Sequence, residues 1–398
     1  MNTIGIICEY NPFHNGHAHQ LHILAKQSPQ SLLICIMSGA FVQRGEPALF
    51  SKFDRARWAV CNGADVVIEL PALFSLGSAQ YFATGAIRMV KALAIDTLSF
   101  GAETTNLAAF QETAQRIDSE STQTSLHTYM QKGLSYSSAL RKALMQYQNT
   151  YIDDIISSPN AVLGLEYIRA ALTYHKGLQY LPILRTSDHH ATSVNQNLPS
   201  GTALRRAVTE RESIINYIPA TISGDIQQQI QQGHYVDYTR YEDMLHTLSR
   251  RMTPEALSAF GDFSEGIEPL WARAALQPTW KESIDTIKSK RYTYARLQRM
   301  GAYLALGITK PLLRESQKQG PQYARLLAFN DRGRQWLQQE YTIPIIQKWA
   351  KAPVLLSVFG RALHHIDTIA TDIQSLCFHN PSMRKGHTDY TYTPQYIR

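Results

Sequence analysis

Five short apolar runs, rich in β-branched residues, punctuate the first 190 residues: TIGIICEY (3–10), SLLICIMSG (31–39), ADVVIELP (64–71), IDTLSFGAE (95–103) and LQYLPILRT (178–186). None alternates apolar and polar residues as a half-exposed strand does, so the runs fit strands covered on both faces, as in a parallel sheet. Helical stretches separate them, among them NGHAHQLHILAKQ and KFDRARWAVCNG, the second stopped by Asn-Gly. The alternation predicts an α/β fold with a Rossmann-like, doubly wound parallel sheet.

Residues 104–158 break this pattern: they are polar, rich in Gln, Ser and Thr, and helical in period, which predicts a helical insertion before the last strand. Past LPSGTALRRAV (198–208) strand signals nearly vanish, helical patterns run to about residue 365, and a polar, Tyr-rich tail follows. The expected organisation is an α/β domain over 1–220 and a mainly α-helical domain over 221–398, with the change near 215–235. A hydrophobic content of 44% with 18% charged residues excludes a disordered chain. No apolar run approaches the ~20 residues of a membrane span, and MNTIGIICEY lacks a basic n-region, so neither membrane nor signal peptide is expected. Cys8, Cys35, Cys61 and Cys377 stand far apart without paired spacing, against both a disulfide framework and a cysteine zinc site. A cytoplasmic protein with reduced thiols is the expectation.

The net charge of +7 is uneven. Residues 1–190 hold 14 basic and 14 acidic side chains, residues 191–398 hold 25 and 18, and the segment 281–334 alone has 12 and 4. A neutral first half beside a basic second half points to a polyanion bound by the second. A solvated basic face is the plainer alternative.

Directly after the first run, four histidines (His14, His17, His19 and His22) fall within nine residues. Ligands of open α/β sheets bind beyond the carboxyl ends of the strands, so NPFHNGH is the loop where a ligand is expected. The helix that follows offers free N–H groups and the positive end of its dipole. Pro12 stiffens the turn, and Gly16 is expected to let the backbone approach a ligand. His14 and His17, three apart, project to one side and suit phosphate binding and charge stabilisation at phosphorus. A metal reading is weaker, because no Glu follows the first His as in H-E-x-x-H, and metal ligands are expected to be absent. His19 and His22 lie further along and read as a surface or packing pair.

NPFHNGH resembles the H-x-G-H motif of the nucleotidyltransferase superfamily, and LPSGTALRRA resembles its later Ser/Thr-rich helix opening, with Ser200, Thr202, Arg205 and Arg206. Ser200 also reads as a helix N-cap. GIICEYNPFHNGH, MSGAFVQRGEPALFSKFDRARWAVCNGADVVIELP, SFGAE, SPNAVLGLEY and SKRYTYARLQRM together resemble the family of bacterial tRNA(Met) cytidine acetate ligases. The resemblance covers most of the chain apart from the insertion and the tail. It implies the nucleotidyltransferase (HUP-type) form of the sheet, ATP and acetate as substrates, acetyladenylate as intermediate, and acetyl transfer to N4 of the wobble cytidine of elongator tRNA(Met). Mg²⁺ is expected with ATP. The tract reads SGAFVQRG, with Ala40 where Asn or Asp is expected, which leaves any ligand role there to the backbone.

The resemblance implies catalytic roles for His14 and His17. It implies ATP contacts along Ile7, Cys8, Glu9, Tyr10, Asn11, Pro12, Phe13, His14, Asn15, Gly16, His17, Ala18, His19 and Gln20. Further ATP contacts are expected at Gly101, Asn160, Arg185, Ser200, Thr202 and Arg205. A missing side chain at Gly101 admits a flat base, and Arg185 ends the last strand on the ligand side, where a guanidinium can meet phosphate. Gln43, Arg44 and Lys52 follow the second strand and are candidates for pyrophosphate or the substrate carboxylate, with Glu46 pairing one of them. His189 and His190 are possible helpers, and no general base is assigned. For RNA, Lys288, Lys290, Arg291, Arg296 and Arg299 interleave with Tyr292 and Tyr294, cations for phosphates and rings for unpaired bases. Arg325, Arg332 and Arg334 add to this set. The rival readings are a small-molecule adenylyltransferase with the same H-x-G-H chemistry, which has no need of a basic helical half, and a non-catalytic RNA-binding protein.

Overall fold

The computed structural model describes residues 2–134, 136–147, 150–185, 200–264 and 266–398. The five apolar runs form β1 (Thr3–Cys8), β2 (Leu32–Ser38), β3 (Val66–Leu70), β4 (Thr97–Ala102) and β5 (Gln179–Leu184). They pair in the order β5-β4-β1-β2-β3, all parallel. Chain order reverses between β1 and β4, which opens a crevice at their carboxyl ends. Leu33, Cys35 and Met37 of β2 join one apolar cluster, while Leu32, Ile34 and Ile36 join the other. The strand feeds a core on each face, which is why the run carries no polar alternation.

The insertion is helical as expected, with helices at Leu107–Ile117, Glu120–Gln131, Tyr136–Leu144 and Thr150–Ser157. Phe110, Leu140 and Ile155 tie it to the core that also holds Leu165 and Ile168 of the next helix, Pro159–Tyr174.

Residues 221–398 are mainly helical, but the expected near-absence of strands fails. β6 (Ala324–Phe329) runs antiparallel beside β3, and two short strands, β7 (Ile345–Ile346) and β8 (Gln395–Tyr396), pair with β6. A short apolar run flanked by arginines fits helix or strand equally; the open edge of β3 decides, because its N–H and C=O groups need a partner. Leu245, Trp271, Leu297 and Met300 of the helical part share one cluster with Ile68 and Leu70 of β3. The expected boundary near 215–235 is therefore a change of secondary structure and not a gap in the core.

β6 also closes a buried charge cluster. Arg325 stands opposite Glu69 in the β3–β6 register and reaches Asp389 at 2.9 Å. Lys52 lies 2.8 Å from Glu69 and 3.1 Å from Asp389. Burial opposes ionisation of Asp389, but Lys52 and Arg325 outweigh it and hold its pKa below the ordinary value. The Arg325 guanidinium also stacks 4.0 Å over Trp349. Removing one member of a buried pair leaves an uncompensated charge and costs about 3–5 kcal/mol. Urea denaturation of Arg325→Ala is expected to show a loss of that size; one of about 1 kcal/mol or less, as for exposed pairs, would mean that water reaches the cluster.

Candidate active site

β1 ends at Cys8, and residues 9–14 cross the carboxyl edge of the sheet before the helix Asn15–Gln27 begins. His14 is the N-cap of that helix. Its Nδ1 accepts the Gly16 N–H at 3.1 Å, while its own N–H donates to His17 Nδ1 at 3.3 Å. Because both Nδ1 atoms accept, each neutral ring carries its proton on Nε2. The rings stack with centroids 3.7 Å apart. Burial, with the Arg185 charge, lowers the His14 pKa to about 3; burial, His14 and Arg185 depress that of His17 well below its ordinary value. Two neutral imidazoles thus line the crevice, and neither Nε2–H has a partner among the described residues. Gly16 is needed for a different reason than expected. A Cβ there would stand 3.0 Å from His14 Cε1, so its absence makes room for the capping ring and not for a ligand.

The crevice has a volume of about 590 Å³, and eight of the fourteen first-loop candidates line it: Ile7, Cys8, Glu9, Tyr10, Asn11, His14, His17 and Gln20. Pro12, Phe13, Asn15, Gly16, Ala18 and His19 do not. Phe13 and Ala18 are core residues, and Tyr10 and Phe13 pack edgewise on each other beside the His17 ring. His19 is exposed and Asn15 donates to Asn216 O.

Opposite the histidines, Arg185 lies over Gly101, where a Cβ would meet its Cγ and Cδ at 3.0 Å. Burial lowers the Arg185 pKa, Glu103 partly opposes this, and no ion pair to Arg185 exists among the described residues. Glu103 accepts from Asn160 Nδ2 at 2.7 Å and from Ala161 N at 2.9 Å, fixing the Asn160 amide at the crevice wall. Ser200 caps the helix Gly201–Thr209 through Ala203 N. Arg205 donates to Asn11 O at 2.9 Å and to Thr202 Oγ1 at 3.2 Å, and pairs with Glu46 at 3.1 Å. Arg206 is exposed and pairs with Glu210, outside the crevice.

A sequence model of the HIGH Nucleotidyl Transferase family matches residues 1–389. A curated relative from Acetivibrio thermocellus, named tRNA(Met) cytidine acetate ligase, is 33% identical over 98% of this chain and 99% of its own. One of the same name from Geobacillus sp. (strain WCH70) is 36% identical over 87% and 89%. The chain belongs to the tRNA(Met) cytidine acetate ligase family of HIGH nucleotidyl transferases. Crystal structures of Thermotoga maritima TmcAL, apo and bound with alpha-thio ATP, match 100% of both chains at TM-scores of 0.95 and 0.92 and 28% identity.

Two features of this family member escaped sequence reasoning. Arg55 is fully buried and donates to the carbonyls of Glu9, Ser38, Gly39 and Phe50. Burial lowers its pKa to about 10, with Cys8, Glu9 and Glu69 opposing, so it stays cationic at neutral pH. Its signal was a charge on the otherwise buried face of the helix Lys52–Cys61. The second is an aromatic wall of Phe82, Phe100 and Tyr167, drawn from three separate elements.

Other candidates are placed elsewhere. Lys52 belongs to the buried cluster with Glu69 and Asp389 and does not reach the crevice. Gln43 donates its N–H to Glu9 Oε1 at 2.8 Å, and Arg44 stands exposed on the rim. Glu46 pairs with Arg205 and not with Arg44 or Lys52. His189 and His190 lie outside the described residues. Among the described residues no group of three or more His, Cys, Asp or Glu could hold a metal ion, and no helix is long and apolar enough to cross a membrane.

Of the basic segment, Lys288, Lys290 and Arg291 are exposed, and Tyr294 is 39% exposed. Tyr292 is buried, donates its hydroxyl to Ser264 O at 2.8 Å and carries the Arg296 guanidinium 4.7 Å from its ring, so it is a packing residue and not a stacking platform. Arg299 is half-buried, with its backbone against Gly45. Arg325 is buried in the sheet, and Arg332 donates to Ser31 O at the amino end of β2, away from the ligand side. Arg334 is exposed on the short helix after β6.

Long-range ¹⁵N–¹H NMR of the ligand-free protein is expected to find both His14 and His17 neutral at pH 6 with the proton on Nε2. A histidine with a lowered folded pKa takes up its proton on unfolding, so the pair reduces stability as pH falls from 6.5 toward about 3. A Nδ1–H tautomer at either ring would overturn the capping account.

Proposed function

We propose that this chain is an ATP-dependent tRNA(Met) cytidine acetate ligase. It activates acetate as acetyladenylate and transfers the acetyl group to N4 of the wobble cytidine of elongator tRNA(Met), giving N4-acetylcytidine. The observation that carries this reading is the stacked, neutral His14–His17 pair at a helix N-terminus, facing a half-buried Arg185 that has no ion pair among the described residues, in a member of this family. An acetate oxygen attacks the α-phosphorus and pyrophosphate leaves. The negative charge that builds on the pentavalent phosphorus is met by Nε2–H donors that need not lose a proton, by the helix dipole and by Arg185. Mg²⁺ would arrive with ATP, drawing its ligands mainly from phosphate and water and neutralising phosphate charge.

In this reading residues 1–220 hold ATP and acetate, and the basic part of 221–398 holds most of the tRNA, in the cytoplasm. The exposed Lys288, Lys290 and Arg291 support it, since a small-molecule adenylyltransferase has no use for them. The wobble base lies in an unpaired loop and can be presented without opening a duplex.

Purified protein incubated with ATP, labelled acetate and total tRNA is expected to yield labelled N4-acetylcytidine on nucleoside digestion; no label in that nucleoside would sink the reading. His17→Ala is expected to lower acetate-dependent ATP–pyrophosphate exchange by about 10²-fold or more. Lys290→Ala with Arg291→Ala is expected to weaken tRNA binding and flatten its salt slope by about 0.7–0.9 per lost phosphate contact. Equal loss of exchange in that double variant would mean that these residues support the fold.

A further inference from the structure

The crevice is electrically divided. One pole carries His14, His17 and Arg185, all suited to phosphate. The other carries two carboxylates, Glu9 and Glu46, with Arg205 and Arg44 beside them. Glu9 Oε1 accepts the Gln43 N–H, and its second oxygen takes no hydrogen bond among the described residues. Glu46 Oε1 lies 3.1 Å from Arg205 Nη2 but is buried without a well-formed hydrogen bond. Burial, with the Glu46 charge adding to it, raises the Glu9 pKa against Gln43, Arg205 and Arg44. Arg205 and Arg44 offset part of this charge, and the carboxylate oxygens left without a hydrogen bond suit a group rich in N–H donors.

The basic helix Tyr294–Leu306 arrives at this same pole. Gly45, between Arg44 and Glu46, sits so close to residues 298–299 that an added Cβ would stand 2.5 Å from Arg299 N. Its φ of +88° also favours glycine. Tyr241 donates its hydroxyl to Gly45 O at 3.1 Å, locking the loop on the helical part. Tyr294 is partly exposed at the start of the helix, where burial and the charges of Glu242, Asp285 and Glu46 raise its pKa, and Arg44 is exposed on the rim.

We propose that Glu9 and Glu46 form the subsite for the acceptor cytosine, with Tyr294, at the start of the adjoining helix, as the ring on which that base stacks. This rests on the ligase reading and adds where the base sits and which group takes its proton. Cytosine presents two N4–H donors at the edge where uracil presents the O4 acceptor, so two carboxylates select the first and repel the second. The N4 electron pair forms the bond to the acetyl carbonyl carbon. The bond from that carbon to the α-phosphate oxygen breaks, and AMP leaves with its electrons. One N4 proton passes to Glu9 and the other remains held by Glu46. Burial raises the Glu9 pKa, which favours proton uptake there.

The test measures the half-reactions separately on the full chain, as acetate-dependent ATP–pyrophosphate exchange without tRNA and as acetyl transfer to an elongator tRNA(Met) transcript. Glu46→Gln is expected to lower the ratio of transfer to exchange at least about tenfold. Glu9→Gln is expected to lower the ratio of transfer to exchange by about 10²-fold, the usual contribution of a positioned base. Tyr294→Ala is expected to raise the KM for tRNA, with rescue by Tyr294→Phe. Surviving exchange reports an intact fold. Transfer at the wild-type rate in either Gln variant, or parallel loss of both half-reactions as for a metal or phosphate role, would overturn the proposal. Absence of exchange in the unmodified protein is a different result and would overturn the ligase reading itself.

Discussion

The buried guanidinium of Arg55 holds the functional end of this molecule together. It donates to carbonyls at the ends of β1 and β2 and to Phe50, with no carboxylate as its hydrogen-bond partner among the described residues. Those carbonyls lie where the sheet ladder stops and would otherwise be left without donors in a water-poor interior. Satisfying them sets the point at which the chain leaves β1, and hence where the first helix begins. The position of His14 as N-cap, the tautomer of both rings and the donors turned to the crevice all follow from that placement.

A second set of buried charges decides how the two halves of the chain sit. Lys52, Glu69, Arg325 and Asp389 bring a helix, two strands and the C-terminal segment to one point inside the protein. Buried ion pairs contribute little net stability over apolar packing, but a misplaced partner is expensive. The cluster therefore acts as a registration device, fixing β6 on β3. Through the shared core it fixes the basic helix against the loop at Gly45 as well. In the proposed reading, a tRNA seated on that helix would reach the adenylate without a search over relative orientations, and positioning of this kind lowers the barrier to transfer.

The legible parts of the fold were those whose pattern is local. Five strands declared themselves because burial of the central ones on both faces favours unbroken apolar runs, and the insertion because its period is helical over four consecutive helices. β6 stayed hidden because a six-residue run has no period of its own and is a strand only beside the open edge of β3. In the site, His14, His17 and Arg185 could be placed by their position at strand ends. Arg55 could not, since an arginine in a helix usually faces water, as Arg57 in the same helix partly does. Gly16 was singled out correctly but for the wrong neighbour: the side chain it accommodates is two residues away.

The sequence alone determined the sheet, the strand-to-helix loop that carries the histidines, and the basic character of the second half. Each depends on residues close together in the chain or on composition. Only the tertiary structure decided which charged and aromatic side chains remain available to ligands. Lys52 and Asp389 neutralise one another across 337 residues, Arg205 is engaged by Glu46 and Asn11, and Tyr292 is covered while Tyr294 stays open. A charge is committed to structure or left to function by what the fold packs within about 4 Å of it, and that distance is set by the whole chain.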